Sequence, residues 1–168
     1  MDVAYGTVDS PVGELLVAAT GGGVCRISFD PEPEREVERL ARSFGVRVLR
    51  APSGKLEEAR RELDEYFAGR RKVFDVPLDV RLAGPFAQEV LRELRRVPFG
   101  ETTTYGTLAA RAGRPRAARA VGTVMNRNPI PIVLPCHRVV GSTGSLVGYA
   151  GGLERKVALL QLEGVLAA

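Results

Sequence analysis

Thr104-Tyr105-Gly106-Thr107-Leu108-Ala109-Ala110-Arg111-Ala112-Gly113-Arg114-Pro115-Arg116-Ala117-Ala118-Arg119-Ala120-Val121-Gly122-Thr123-Val124-Met125 divides into two short helical patterns around a tight break. Thr104 is suited to N-cap the first, which carries Leu108, Ala109 and Ala112, and Gly113 stops it. Pro115 suits the first position of the second, which the pattern carries to about Met125. Two helices joined by a tight Gly-containing turn read as a helix-turn-helix. An ordinary helical hairpin in a core gives the same signal. On the second helix Arg116, Arg119 and Thr123 share one face, and Ala117, Val121 and Val124 share another, toward a core. The basic side chains then point outward. Ala117, Ala118, Ala120 and Gly122 keep this helix thin. A helix with ordinary side chains is about 10–12 Å across, and the minor groove of B-DNA is about 6 Å wide. A helix trimmed to Ala and Gly is able to press against a widened minor groove. Two arginines give it little with which to read bases, so weak sequence specificity is expected.

The charge around this segment points the same way. The net charge of +4 over 168 residues conceals an asymmetry. Residues 1–80 hold 12 basic and 15 acidic residues, a net of −3, and residues 81–168 hold 12 and 5, a net of +7. No acid occurs between Glu101 and Glu154, a gap of 52 residues that contains Arg111, Arg114, Arg116, Arg119, Arg127 and Arg138. An acid-free half dotted with arginine suggests a polyanionic partner. Arginine outnumbers lysine 21 to 3, so compositional bias is the plain alternative, but bias toward arginine does not remove acids.

Upstream, the chain reads as a β-meander: Val3–Val8, Glu14–Ala19 and Val24–Phe29, with turns at Asp9–Gly13 and Thr20–Gly23. Two amphipathic helices follow, Glu34–Phe44 and Leu56–Phe67, and then a short extended piece, Val73–Leu78, around Pro77. A boundary falls near Pro77–Gly84. Phe86–Leu94 is a further helix, and the last one carries Leu153, Val157 and Leu160. Cys25 alternates with apolar neighbours and reads as a small buried hydrophobe. Two cysteines are too few for a disulfide scaffold. The N-terminus lacks a secretory pattern, and no run approaches the roughly 20 apolar residues of a membrane span. A reducing, cytoplasmic location is expected, with no membrane partner.

The chemistry concentrates downstream, in Asn128-Pro129-Ile130-Pro131-Ile132-Val133-Leu134-Pro135-Cys136-His137-Arg138-Val139-Val140. Three prolines in seven residues stiffen the backbone before a cysteine, and the single histidine of the chain follows it directly. A thiolate is the reactive form of cysteine, and a neighbouring His can serve as its base. Adjacent residues of a strand face opposite ways, so contact between the two needs a bend or a bridging water. Glu163, at the end of the last helix, is a candidate to orient the imidazole, although it opposes the helix dipole. The plain alternatives are a structural Cys beside a satisfied His, and a solvated Glu. One His and two distant Cys do not make a zinc set. Gly141–Gly152 holds five glycines and reads as a mobile loop able to close over a bound group. It has no P-loop pattern.

Pro135-Cys136-His137-Arg138-Val139-Val140 closely resembles the active-site motif of the O6-alkylguanine-DNA alkyltransferases, the methylated-DNA–protein-cysteine methyltransferases. The likeness extends in register through Phe99-Gly100-Glu101, Thr104-Tyr105, Ala117-Ala118-Arg119-Ala120-Val121-Gly122, Asn128-Pro129, Gly148-Tyr149-Ala150-Gly151-Gly152 and Glu163-Gly164. A weaker likeness covers Ser10-Pro11-Val12-Gly13. The resemblance implies an α/β protein with two domains. Residues 1–80 would be an RNase H-like α/β domain. Residues 81–168 would be a mainly helical domain of winged-helix, helix-turn-helix type, for DNA binding and alkyl transfer.

The activity it implies is single-turnover repair of double-stranded DNA. An alkyl group on guanine O6, and on thymine O4, would pass to Cys136 after the base is flipped through the minor groove. By the same resemblance His137 would be the base, through a water, and Glu163 would orient it. Tyr105 would help expel guanine, and Asn128 would shape the turn between recognition helix and active-site segment. Arg119 would fill the vacated base stack. Arg116, Ala117, Ala118, Thr104 and Ser142 would contact DNA. Tyr149, Ala150, Val139 and Gly148 would wall the alkylguanine pocket. Some members have Ser where this chain has Ala150, and some bind zinc through residues that Cys25 and one His cannot supply. No metal is therefore expected; no cofactor and a monomer are expected as well. The competing readings are a module that binds alkylated bases without repairing them, and a cysteine hydrolase indifferent to DNA.

Overall fold

The computed structural model describes residues 2–29, 32–45, 48–50 and 54–168. The chain folds into two compact units, residues 1–82 and 83–168.

In the first unit, strands β1 (Val3–Val8), β2 (Leu15–Thr20) and β3 (Gly23–Ser28) form an antiparallel meander. Helix α1 (Pro33–Phe44) leads to a short strand β4 (Val48–Arg50), which pairs parallel to β1, so the sheet order is β3-β2-β1-β4. Helix α2 (Gly54–Phe67) closes the unit. The period of two explains why every residue of β2 is buried. Leu16 and Ala18 pack with Val3, Cys25 and Leu40 under α1. Val17 lies opposite Gly6, whose face meets Leu56 of α2. Gly23 is required: its φ is +134°, and a Cβ there would lie 2.3 Å from the Pro77 carbonyl oxygen. The extended piece expected at Val73–Leu78 reduces to a single bridge between Leu78 and Val24. Pro77 has no N–H to extend the ladder, and it accepts from Val24 N instead.

The second unit is mainly helical. It contains α3 (Pro85–Arg95), β5 (Thr103–Thr104), α4 (Tyr105–Arg111), α5 (Ala118–Asn126), a 3-10 turn (Cys136–Arg138), β6 (Val139–Val140) and α6 (Leu153–Leu162). Strands β5 and β6 pair in parallel. Leu94, Leu108, Ala109, Val121, Ile130 and Leu159 are among its most buried residues. Gly113, at φ +82°, ends α4, and the Arg114 N–H turns back to Ala109 O at 2.9 Å.

Two expectations need correction here. The second helix of the pair begins at Ala118, not at Pro115. Pro115 instead occupies the second position of a turn closed by Ala117 N to Arg114 O, 2.9 Å, a place its fixed φ equally suits. Arg116 therefore lies in that turn, and Ala117 caps the helix. The last helix buries Lys156, Leu159 and Leu160, whereas Leu153 is 48% exposed. Its buried face is rotated from the apolar stripe because the Lys156 ammonium is fully satisfied inside. Within the glycine-rich segment 141–152, Gly141 N bonds Ser145 O at 2.8 Å, and Lys156 donates to Val147 O and Gly148 O at 3.1 Å each. No helix among the described residues is long and apolar enough to cross a membrane. No group of three His, Cys, Asp or Glu among them is placed to hold a metal.

Candidate active site

The segment between α5 and Cys136 is fastened by one side chain. Asn128 is buried; its amide donates to Leu134 O at 2.8 Å, and its carbonyl accepts from Ile130 N at 3.0 Å. Within that loop Ile132 is buried at φ +75°, a left-handed conformation that a β-branched residue adopts at a cost of about 1–3 kcal/mol. The chain then enters the 3-10 turn, with Arg138 N bonded to Pro135 O at 2.9 Å. Cys136 and His137 thus sit on a turn rather than a strand, and their side chains are not forced to opposite faces.

Cys136 is 5% exposed. Burial pushes its thiol up to about 11, against the opposing pull of the Asn128 amide, the positive charge of Lys156 and the nearby Tyr149 hydroxyl. At rest it is a thiol, so for it to serve as a nucleophile a base is needed. His137 is wholly buried, with Nε2 2.7 Å from Glu163 Oε2. Its Nδ1 has no hydrogen-bond partner among the described residues. Burial holds the imidazole below its ordinary value; Glu163 pulls it back up, and Arg138 and Lys156 push it down. Glu163, the C-cap of α6, is buried with them, which removes the solvated-surface alternative. Arg138 grips the same carboxylate with Nε to Oε1 at 2.8 Å and Nη2 to Oε2 at 2.9 Å.

Tyr105, Ala118, Arg119, Gly122, Val147 and Gly148 line an open cleft of about 540 Å³ alongside α5. The Tyr105 phenol is pushed up by burial and then by its proximity to Cys136. Thr104 N-caps α4, accepting from Thr107 N at 3.1 Å. Arg116 and Ser142 are exposed and do not line this cleft. Tyr149 is half-buried beside Cys136, Ala150 is exposed, and Val139 is fully buried.

Residues 3–80 match the family described as the ribonuclease-like domain of 6-O-methylguanine DNA methyltransferase, and residues 85–165 match its DNA-binding domain. The chain belongs to the 6-O-methylguanine DNA methyltransferase family. It is 40% identical to a methylated-DNA–protein-cysteine methyltransferase of Methanosarcina acetivorans, over 95% of this chain and 97% of that one. It is 39% identical to the constitutive methyltransferase of Bacillus subtilis, over 95% and 94%. A crystal structure of Mycobacterium tuberculosis OGT in complex with DNA superposes with a TM-score of 0.82 at 40% identity, covering 97% of this chain and 92% of that one.

For a methyltransferase of this family, two residues near the site, Asn126 and Lys156, escape a reading of the sequence, whereas the helical spacing already places Thr123 on the face of Arg119. Thr123 and Asn126 also line the cleft, on the exposed side of α5. Lys156 donates to Val139 O at 2.7 Å, and to Val147 O and Gly148 O at 3.1 Å each. It joins the active-site strand to the loop that borders the cleft. The only signal for it in the sequence is a basic residue one step from the apolar stripe of α6.

Proposed function

We propose that Cys136 is the acceptor in this chain's reaction, the transfer of a methyl group from O6-methylguanine in DNA to a protein cysteine. The reaction is that of the family. The observation that carries the assignment of residues is a buried thiol whose neighbour His137 is locked to Glu163 through Nε2 while Nδ1 stays open.

In this reading Sγ attacks the methyl carbon in line, and the bond from that carbon to O6 breaks with its electrons going to guanine. The thiol proton passes through a water to His137 Nδ1, and Glu163 stabilises the imidazolium. The leaving guanine takes up a proton, with the Tyr105 hydroxyl as its hydrogen-bond donor. The products are S-methylcysteine and guanine, and the thioether offers no easy leaving group for a second cycle.

Double-stranded DNA lies along α5 in this reading. Arg119 fills the stack left by a base flipped through the minor groove. The faces of Ala117, Ala118 and Gly122 allow close approach, and Thr104, Arg116 and Ser142 meet the backbone. Support comes from Gly122: a Cβ added there meets no atom of the protein within 4 Å, so internal packing does not demand a glycine. Tyr149, Gly148, Ala150 and the Val139 segment border the alkylguanine, and thymine O4 adducts enter the same way. The protein acts as a monomer in a reducing cytoplasm, in keeping with two free cysteines.

Intact-mass and peptide spectrometry after incubation with a duplex containing O6-methylguanine tests the assignment. One methyl on the peptide bearing Cys136 is expected, and none in Cys136→Ser. Binding without added mass would instead make the protein a reader of alkylated bases.

A further inference from the structure

The His137–Glu163 pair does not stand alone. Arg138 is 5% exposed, and its guanidinium is committed on every side: Nε and Nη2 to Glu163, Nη1 to Val97 O at 2.7 Å, and its carbon 5.9 Å from the centre of the Phe99 ring. This fork matches a carboxylate bidentately, and its charge is permanent. Glu163 Oε2 is the atom shared by Arg138 and His137.

We propose that Arg138 is a positioning residue for the base, holding Glu163 ionised so that the proton of His137 resides on Nε2 and Nδ1 is left to accept the thiol proton. The inference rests on Cys136 being the acceptor. A carboxylate paired with guanidinium can only accept hydrogen bonds. The ring nitrogen 2.7 Å away must then be the one bearing hydrogen, and the other nitrogen carries the lone pair.

Charge balance acts in the same direction. With Arg138 present, the buried trio of guanidinium, carboxylate and neutral imidazole has no net charge. Without it the pair would be a buried anion, which is strongly unfavourable in a site this enclosed. The pair would relieve that cost by binding a proton, and the base would be spent before the reaction begins. The other ionisable group acting on the ring is Lys156 on α6; Cys136 precedes His137 on the same turn, and Val97 and Phe99 give Arg138 only a carbonyl and a ring. Lys156 is committed to three carbonyls and reaches neither carboxylate oxygen within ion-pair distance in the described structure.

The single histidine makes this measurable. With 15N-labelled histidine, the ring gives one pair of nitrogen signals. In the free wild-type protein at pH 7, Nδ1 is expected to be of pyridine type and Nε2 protonated. In Arg138→Gln both nitrogens should be protonated at pH 7. Its methyl-transfer rate should fall about tenfold or more there and recover at alkaline pH, so the acid limb of the pH–rate profile moves upward. Arg138→Lys keeps the charge and should keep the neutral ring. A protonated Nδ1 in the wild type at pH 7 overturns the proposal. So does a protonated ring in Arg138→Lys, or an Arg138→Gln protein with unchanged ring signals and pH profile and only a lower melting temperature. Should Arg138→Gln not fold, the wild-type and Arg138→Lys spectra decide. These spectra are read without DNA, so they stand or fall separately from the mass measurement on Cys136.

Discussion

Lys156 carries a positive charge into the interior and satisfies it with three backbone oxygens drawn from two separate segments. Lys156→Met keeps much of the volume but leaves those oxygens without a donor, at an expected cost of about 2–4 kcal/mol. Urea denaturation of the two proteins measures it, and equal midpoints would contradict it. His137 gives a second prediction. Its neutral form is favoured in the fold, so its folded value lies below its ordinary one. Below about pH 6.5 the unfolded chain binds a proton that the folded chain refuses. Stability should be level above that pH and fall as the pH drops from about 6.5 toward 5, by at most about 1.4 kcal/mol per pH unit for one group. No other histidine exists to contribute in that window. A flat urea midpoint across it would refute the claim. The pairing of Cys136 with the lone histidine is visible in the sequence, because both stand together behind three prolines. Lys156 is not visible there, because helical periodicity assigns a charged residue to solvent and says nothing of carbonyls that reach it from elsewhere in the chain.

At the level of elements, α5 is a helix in which apolar packing claims one side and open space the other. Val121 and Met125 are buried. Gly122 is in the cleft lining with no internal neighbour for a side chain. Gly122→Leu should therefore fold at least as well as the wild type, gaining about 0.5–1 kcal/mol of helix propensity. The same change should weaken duplex binding about tenfold or more through lost approach. Thermal melts and fluorescence-anisotropy titrations separate the two effects, and unimpaired binding would detach α5 from the DNA. The presence of this helix was legible from its apolar spacing, but its start was not. Pro115 fits both a helix N1 position and the second place of a turn, and only the hydrogen bond from Ala117 N to Arg114 O distinguishes them. Strands β4, β5 and β6 have three, two and two residues, too few for alternation to register.

Across the whole molecule the charge asymmetry becomes more specific. Of the six arginines in the acid-free stretch, Arg111, Arg114, Arg116, Arg119 and Arg127 are exposed, and Arg138 is spent on an internal ion pair. The usable field is therefore five charges, not six. Duplex affinity should fall with salt at a log–log slope of about −3 to −5, since each phosphate contacted contributes roughly −0.9. Titrations at several salt concentrations measure it, and a slope near zero would remove the electrostatic role. The two-part character of the chain was readable from this charge break and from the change of period from strands to helices. How the fold disposes of Arg138 was not, since a buried and an exposed arginine count alike in a composition. The thiol pushed up to about 11 has a consequence for the life of each copy. At neutral pH the thiol form prevails. In the role proposed for Cys136, a cysteine consumed by a single transfer gains from being held as the less reactive thiol. On the proposed mechanism its one equivalent of nucleophile is released only where the base and an alkylated purine meet, so the number of lesions corrected would track the number of copies made.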